Sequence, residues 1–249
     1  MNVILVSGRY PTSTSASDRH DEDAKFAALL ASTDCDVRWI VPGEATSVRE
    51  LAGVTVIPVR TRAPGFRGVE ARLRDKFTES VLAREVRRDL PAVVHLLDYG
   101  GSMSVNVSWV ASRLGVPVVV NVRAAPTLCH RGDLVYVDGT ECADWADPER
   151  CAACCLVPSV RGLSSLSSWF ARLLRVVRWP FSTYPTPMAF QNRRELIAGG
   201  PQSADAIVVA SAVDRDRMEL SGLRRESLAI LAAAGVEDWV AVYDRVTRT

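Results

Sequence analysis

The chain has 249 residues, 48% of them hydrophobic and 24% charged, enough to bury a sizeable core as one large domain or at most two. Thirty basic against 29 acidic residues leave a formal net charge of +1, so no global field draws it to nucleic acid and any binding surface is local. Collagen-like, disordered and mini-protein classes are excluded by the same figures.

No stretch approaches the ~18 uninterrupted apolar residues of a membrane span. Met1 to Gly8 lacks the basic start and cleavage site of a secretory signal, so the chain reads as cytoplasmic. Asn2 to Ser7 is a short β-branched run closed by Gly8, as expected of a parallel strand buried on both faces. After a Ser/Thr-rich loop, Ser17 or Asp18 opens a helix with an acidic first turn that runs to about Ser32. Strands are expected at Val37 to Val41 and Val54 to Val59, the second at a sheet edge because Pro58 has no N–H for a ladder. A helix follows from about Val69 to Arg88, with Leu73, Phe77, Val81, Leu82 and Val86 on one stripe. Further strands are expected at Ala92 to Leu97, Val116 to Val122, Ala206 to Val209 and Leu228 to Leu231, with helices from Ser104 to Leu114 and from Ala212 to Ser221. This alternation predicts an α/β fold with a doubly wound, mostly parallel sheet. Two irregular stretches interrupt it, a Cys-rich one over 124–163 and a Pro-rich one over 180–187.

Five of the six cysteines fall between positions 129 and 155, in the order Cys129-x12-Cys142-x8-Cys151-x2-Cys154, with Cys155 adjoining. In a reducing compartment such clustering favours metal over disulfides. Four thiolates close a tetrahedral shell around zinc, and a Cys-x2-Cys pair puts two of them on one tight turn. Cys155 is a substitute ligand, an iron–sulfur cluster takes the same donor set, and free buried thiols are the alternative. A complete four-Cys shell leaves no open position, so a structural staple is the expected role. His95 falls at the C-terminal end of a predicted strand and is followed by Asp98, Gly101 and Ser102; ligands of open α/β sheets bind beyond that end. His20 reads as a surface residue, and His130, next to Cys129, as a ligand or a partner to one. Over 166–178 a wheel gathers Leu166, Trp169, Phe170, Leu173, Leu174, Val176 and Val177 on one arc and Arg172, Arg175 and Arg178 on the other. Such a helix either faces a core or lies on an anionic membrane surface. No P-loop, GxSxG, HExxH or GxGxxG motif follows a predicted strand.

In their order these pieces resemble the N-terminal half of glycosyltransferase family 4, retaining sugar-nucleotide-dependent enzymes with the two-domain GT-B fold. The resemblance rests on Val3 to Pro11, on Pro91-Ala92-Val93-Val94-His95, on Gly115 to Val120, on Ala204 to Ser211 and on Gly235-Val236-Glu237. Cys129-His130-Arg131-Gly132, Asp138 to Cys142 and Cys151-Ala152-Ala153-Cys154 are similar to a four-cysteine insertion of one branch. It implies a subfamily 4-like N-terminal domain over 1–240, with 124–163 as a metal-binding insertion, 241–249 as the start of a linker, and the donor half absent. It further implies an acceptor cleft of His95, Asp98, Gly101 and Ser102, with Arg123 as an anion contact. The donor would be a nucleoside-diphosphate sugar and the acceptor a sugar or lipid-linked sugar, with a separate donor-binding chain as partner and membrane contact through 166–178 at the inner face. The chain departs from the family pattern where a glycine-rich turn is usual and Ser13-Thr14-Ser15-Ala16 stands, and where a histidine motif is usual and Asn121-Val122-Arg123-Ala124 stands. Arginine cannot serve as a base there, since its pKa stays above ~12. The alternative is a catalytically degenerate, metal-stapled module that binds a glycan, a lipid-linked acceptor or a partner protein.

Overall fold

The computed structural model describes residues 1–8, 18–43, 47–60, 74–99, 103–136, 139–156, 186–224, 228–230 and 235–248. The expected Ser13 to Ala16 turn, Gly101, Ser102, Asp138 and the 166–178 helix lie outside them. Among the described residues eight strands form one sheet: β1 (Asn2–Val6), β2 (Asp36–Pro42), β3 (Arg49–Leu51), β4 (Val54–Val59), β5 (Val93–Leu96), β6 (Val118–Val122), β7 (Ala206–Val209) and β8 (Leu228–Ile230). Their order across the sheet is β3-β4-β2-β1-β5-β6-β7-β8. Every pairing is parallel except β3 with β4. The sheet is therefore doubly wound, as the alternation of strand and helix required, and its winding reverses between β1 and β5.

The central strands are buried on both faces, which is why they read as unbroken apolar runs. Successive residues feed opposite layers. Ile4, Val6, Val94 and Leu96 face one core, shared with Leu82, Val86, Ala111 and Ile197. Val3, Leu5, Val93 and Leu97 face the other, shared with Ala27, Leu30, Trp239 and Tyr243. The first layer is covered by α2 (Lys76–Arg88), α3 (Val107–Arg113), α6 (Pro187–Gly199) and α7 (Ala212–Leu220), and the second by α1 (Asp18–Ala31) and α8 (Val236–Thr247). Two short helices, α4 (Ala124–Leu128) and α5 (Pro148–Leu156), bracket the cysteine-rich stretch.

Several boundaries differ from the sequence expectation for identifiable reasons. Helix α2 begins at Lys76 because Asp75 is its N-cap, accepting from the Phe77 amide and from the Thr78 hydroxyl. Its buried face is Thr78, Leu82, Glu85 and Val86, while Phe77, expected on the stripe, is exposed. Strand β3 was not expected; Ala52 and Gly53, both at positive φ, turn it back antiparallel onto Val54–Val56. Pro58 lies beyond that pairing, on the part of β4 that only β2 flanks. The Cys-rich stretch carries helical turns where little periodicity was read. Residues 241–249, expected to open a linker, continue α8 to Thr247, with Trp239, Val242, Tyr243 and Val246 buried on one face.

Candidate functional site

The sheet's winding reverses between β1 and β5, and the C-terminal ends of these strands are where open α/β sheets take their ligands. Past its end β5 continues into Leu97, Asp98 and Tyr99 while β6 beside it continues into Arg123. Adjacent strands thus bring together two expected site residues that are 25 positions apart: Arg123 Nη2 donates to Asp98 Oδ1 at 2.5 Å. The Asp98 side chain is 6% exposed and that of Arg123 31%. The loop beneath them is held on three sides. The Tyr99 amide donates to the Asn121 carbonyl, the Thr127 hydroxyl to the Tyr99 carbonyl, and the Tyr99 hydroxyl to the Ile197 carbonyl. Burial drives the Tyr99 phenol pKa up, so it stays a donor.

Arg123 is also the residue before α4, whose first amide, that of Ala124, donates to Asp214 Oδ1. Asp214 in turn accepts from the hydroxyl of Ser211, the N-cap of α7. Two features suited to an anion, a guanidinium and a helix start, are therefore each matched by a carboxylate of the chain itself.

His95, the first residue expected in the cleft, is fully buried. It is the third of four residues of β5 and shares the layer of Val93 and Leu97, so its ring enters the core under α1 and α8. Phe26 and Tyr243 meet it edge-on and Trp239 lies tilted against it, 4.7 Å between centroids. Nδ1 is 2.7 Å from the Tyr243 hydroxyl, while Nε2 has no hydrogen-bond partner among the described residues. Burial pushes its pKa down to about 3, keeping the imidazole neutral. In this packing no solute reaches it.

The other expected group does gather. Cys129, Cys142, Cys151, Cys154 and Cys155 line one small cavity with His130, Arg131, Val135, Tyr136, Trp145 and Arg150. All five are free thiols. Cys129 follows α4, Cys142 sits on a tight return where its amide donates to the Leu134 carbonyl, and α5 supplies the remaining three. Cys129 Sγ donates to Asp133 Oδ1, Asp133 Oδ2 pairs with Arg131, and Arg131 Nη1 donates to Cys154 Sγ at 3.7 Å. Burial, with the neighbouring sulfurs, raises the Cys151 and Cys155 thiols to about 12 and those of Cys142 and Cys154 upward. Burial thus favours the thiol over the thiolate at each of them. Among the described residues no three His, Cys, Asp or Glu side chains stand close enough together to hold a metal ion as placed.

An apolar cleft adjoins this cavity between α4, α5, α6 and α7, sharing His130, Trp145 and Cys151 with it and walled by Leu128, Phe190, Ile197 and Met218. Arg193 lies at its base, only 6% exposed. It donates to the carbonyls of Thr127 and Pro126 at the end of α4, at 3.1 and 3.0 Å. Sequence reading missed Arg193, since it falls in a helix that was not expected; Thr186 before Pro187, an N-cap before an N1 proline, is the signal that marks that helix.

No family model and no curated protein matches the chain. Among solved structures it is similar to sucrose-phosphate synthase from Thermosynechococcus elongatus, at 8% identity and a TM-score of 0.50, over 93% of this chain and 48% of that one. A UDP-N-acetylglucosamine 2-epimerase from Rickettsia bellii aligns at 11% identity and a TM-score of 0.45, over 98% of this chain and 47% of that one. A lipopolysaccharide outer core galactosyltransferase aligns at 6% and 0.42, over 93% and 45%. The chain spans about half the length of these proteins. At such identities the first likeness shows the fold alone, a Rossmann-like α/β sheet. No helix among the described residues is long and apolar enough to cross a membrane.

Proposed function

We propose that the chain is the acceptor-binding half of a retaining, nucleotide-sugar-dependent glycosyltransferase of the GT-B kind, completed by a donor-binding half from a further domain or a separate chain. The observation that carries this reading is the Asp98–Arg123 pair at the C-terminal ends of β5 and β6, next to the reversal of winding between β1 and β5, where open α/β sheets take their ligands. The Asp98 carboxylate would accept hydrogen bonds from acceptor hydroxyls. Arg123, a third exposed, would orient it and meet an anionic group, and Gly101 and Ser102 would be further acceptor contacts. The departing diphosphate would be stabilised by basic residues and helix starts of the donor half. His95 would act on the site only through the packing of β5. In the same reading the chain works in the cytoplasm, and the 166–178 segment rests against an anionic membrane face.

The cysteine cavity is the second part of the proposal. Its donor set is one that zinc, or an iron–sulfur cluster, takes, with Cys129, Cys142, Cys151 and Cys154 as ligands in sequence order and Cys155 in reserve. A bound ion would staple the 129–156 segment and supply no chemistry to transfer.

One observation favours a second reading, a binding module that transfers nothing: Arg123 and the start of α4 are both already matched by carboxylates, Asp98 and Asp214. Titration of the isotope-labelled chain with oligosaccharides and polyprenyl-phosphate sugars tests the site itself. The expected result is shifts confined to amides of residues 97–99 and 121–124, lost in Asp98→Asn; an absence of such shifts overturns the acceptor site. Adding the chain to an extract of its source cells then separates the two readings. Transfer predicts greater incorporation of labelled donor sugar with the wild-type chain than with Asp98→Asn, and the binding module predicts no difference.

A further inference from the structure

The cleft between α4, α5, α6 and α7 combines apolar walls with positive charge that nothing in it balances. Trp145 and Phe190 give it aromatic faces, and Leu128, Ile197, Met218 and Leu223 aliphatic ones. Two successive arginines of α6 also line it, Arg193 buried and Arg194 exposed. Neither forms an ion pair among the described residues. Arg193 donates to the Thr127 and Pro126 carbonyls, and Arg194 to that of Ala146. The remaining N–H groups of Arg193, Nε–H included, have no acceptor among the described residues. Neutral carbonyls satisfy N–H groups without cancelling charge, and a buried cation without a counter-charge is costly. Among the described residues that line the cleft none is acidic. The neighbouring arginines differ in this respect, since Arg131 pairs with Asp133 and Arg150 with Asp144.

We infer that this cleft is a binding site for a small apolar anion, a carboxylate or phosphate monoester carried on a short hydrocarbon or aryl body. The body packs on Trp145, Phe190 and the aliphatic wall, from which it displaces water. The anionic end meets Arg193, whose planar guanidinium matches a carboxylate or phosphate. The bonds from Arg193 to Pro126 and Thr127 fix that guanidinium before a ligand arrives, so little side-chain freedom is lost on binding. Arg194 adds a second charge that solvent screens. A neutral ligand of the same shape leaves the buried charge unmatched, and a bare anion forgoes the walls; the cleft therefore selects for both features together. The site is separate from the Asp98–Arg123 pair, because Arg123 precedes α4 whereas the cleft begins at Thr127 and Leu128, at its other end. It stands whether or not the chain takes a glycosyl acceptor.

The test is titration of the isotope-labelled full chain, read by amide shifts, with hexanoate, hexyl phosphate, hexanol and acetate. The first two are expected to bind, with shifts confined to residues 127–130, 145–151, 190–198 and 218–223. Hexanol keeps the body and lacks the charge, and acetate keeps the charge and lacks the body; each is expected to bind at least about tenfold more weakly. Arg193→Met is expected to lower hexanoate affinity about tenfold or more, Arg193→Lys by less, and the exposed Arg194→Met by less than about threefold. Hexanol binding as tightly as hexanoate would make the cleft an apolar gap in which Arg193 only braces α4, and the inference fails. A folded Arg193→Met that binds hexanoate as wild type does overturns it too. Should Arg193→Met not fold, Ala198→Phe, on the same lining, fills the cleft and leaves both arginines in place; loss of hexanoate binding is expected, and unchanged affinity overturns the inference. An absence of shifts at these residues in wild type, as when another part of the chain or a second copy occupies the cleft, overturns it as well.

Discussion

His95 shows how one residue's parity decides its chemistry. Its neighbours Val94 and Leu96 face one layer, and His95 faces the other, among Phe26, Trp239 and Tyr243. A strand reading finds the residue but not which layer α8 will seal, because α8 lies some 140 positions away. The folded pKa, about 3, stands below the ordinary 6.5. Above pH 6.5 both folded and unfolded forms are neutral and no stability is lost. Between 6.5 and about 3 the unfolded chain binds a proton that the fold excludes, so stability falls by up to about 1.4 kcal/mol per pH unit. Unfolding free energies from urea denaturation at pH 7 and pH 5 are therefore expected to differ by about 2 kcal/mol more in wild type than in His95→Gln, which has nothing to protonate. An identical pH dependence in the two would show that the ring is protonated in place.

At the scale of elements, the parallel strands were legible, and β3, α4, α5, α6 and α8 were not. Short β-branched runs betray a sheet covered on both sides, so all seven parallel strands could be placed from sequence. Helices α6 and α8 were missed although each carries its own marks: Thr186-Pro187 for α6, and the i, i+3, i+4, i+7 spacing of Trp239, Val242, Tyr243 and Val246 for α8. Strand β3 has no apolar face to announce it, since all three of its residues are exposed. The Asp98–Arg123 contact could not be read at all, because it depends on β5 and β6 being neighbours. The junction after α6 illustrates how tightly the elements are fitted. A Cβ on Gly200 would stand 1.9 Å from Tyr99 Oη and 2.6 Å from Cζ, and Tyr99 is buried and tied to the Ile197 carbonyl. The φ of Gly200 is an ordinary −65°, so the glycine is required by space alone. Gly200→Ala is expected to cost about 1–3 kcal/mol in chemical denaturation, and Gly200→Ala with Tyr99→Phe less than the sum of the two single changes; simple additivity would mean that Tyr99 moves aside freely.

Across the whole molecule, the sheet and the cysteine segment draw on unequal resources. Two large apolar clusters clasp the sheet from either face, whereas among the described residues the cluster under α5 has Ala152 and Phe190 buried, with Cys151, Cys155 and Ala189 against them. Among the described residues between Cys129 and Asp147 the backbone bonds are mostly local, as from the Gly132, Gly139 and Asp147 amides to the Cys129, Tyr136 and Asp144 carbonyls and, across an isolated bridge of Val135 with Glu141, from the Cys142 and Tyr136 amides to the Leu134 and Thr140 carbonyls; the side chains of Asp133 and Arg194 hold the Val135 amide and the Ala146 carbonyl, and Glu141 forms an exposed ion pair with Arg217. Exposed ion pairs contribute little, so what holds this segment is mainly its local backbone bonds and the packing of its thiols. Local opening follows the weakest set of contacts. Hydrogen exchange on the chelated chain is accordingly expected to leave amides of β1, β5 and β6 protected while amides of residues 129–136 and 140–155 exchange freely, and one equivalent of zinc is expected to slow the latter by about tenfold or more. Loss of protection throughout on chelation would make the ion part of the global fold, and protection of the segment indifferent to zinc would leave the five cysteines as packing residues, held by α5, α6 and Arg193 alone.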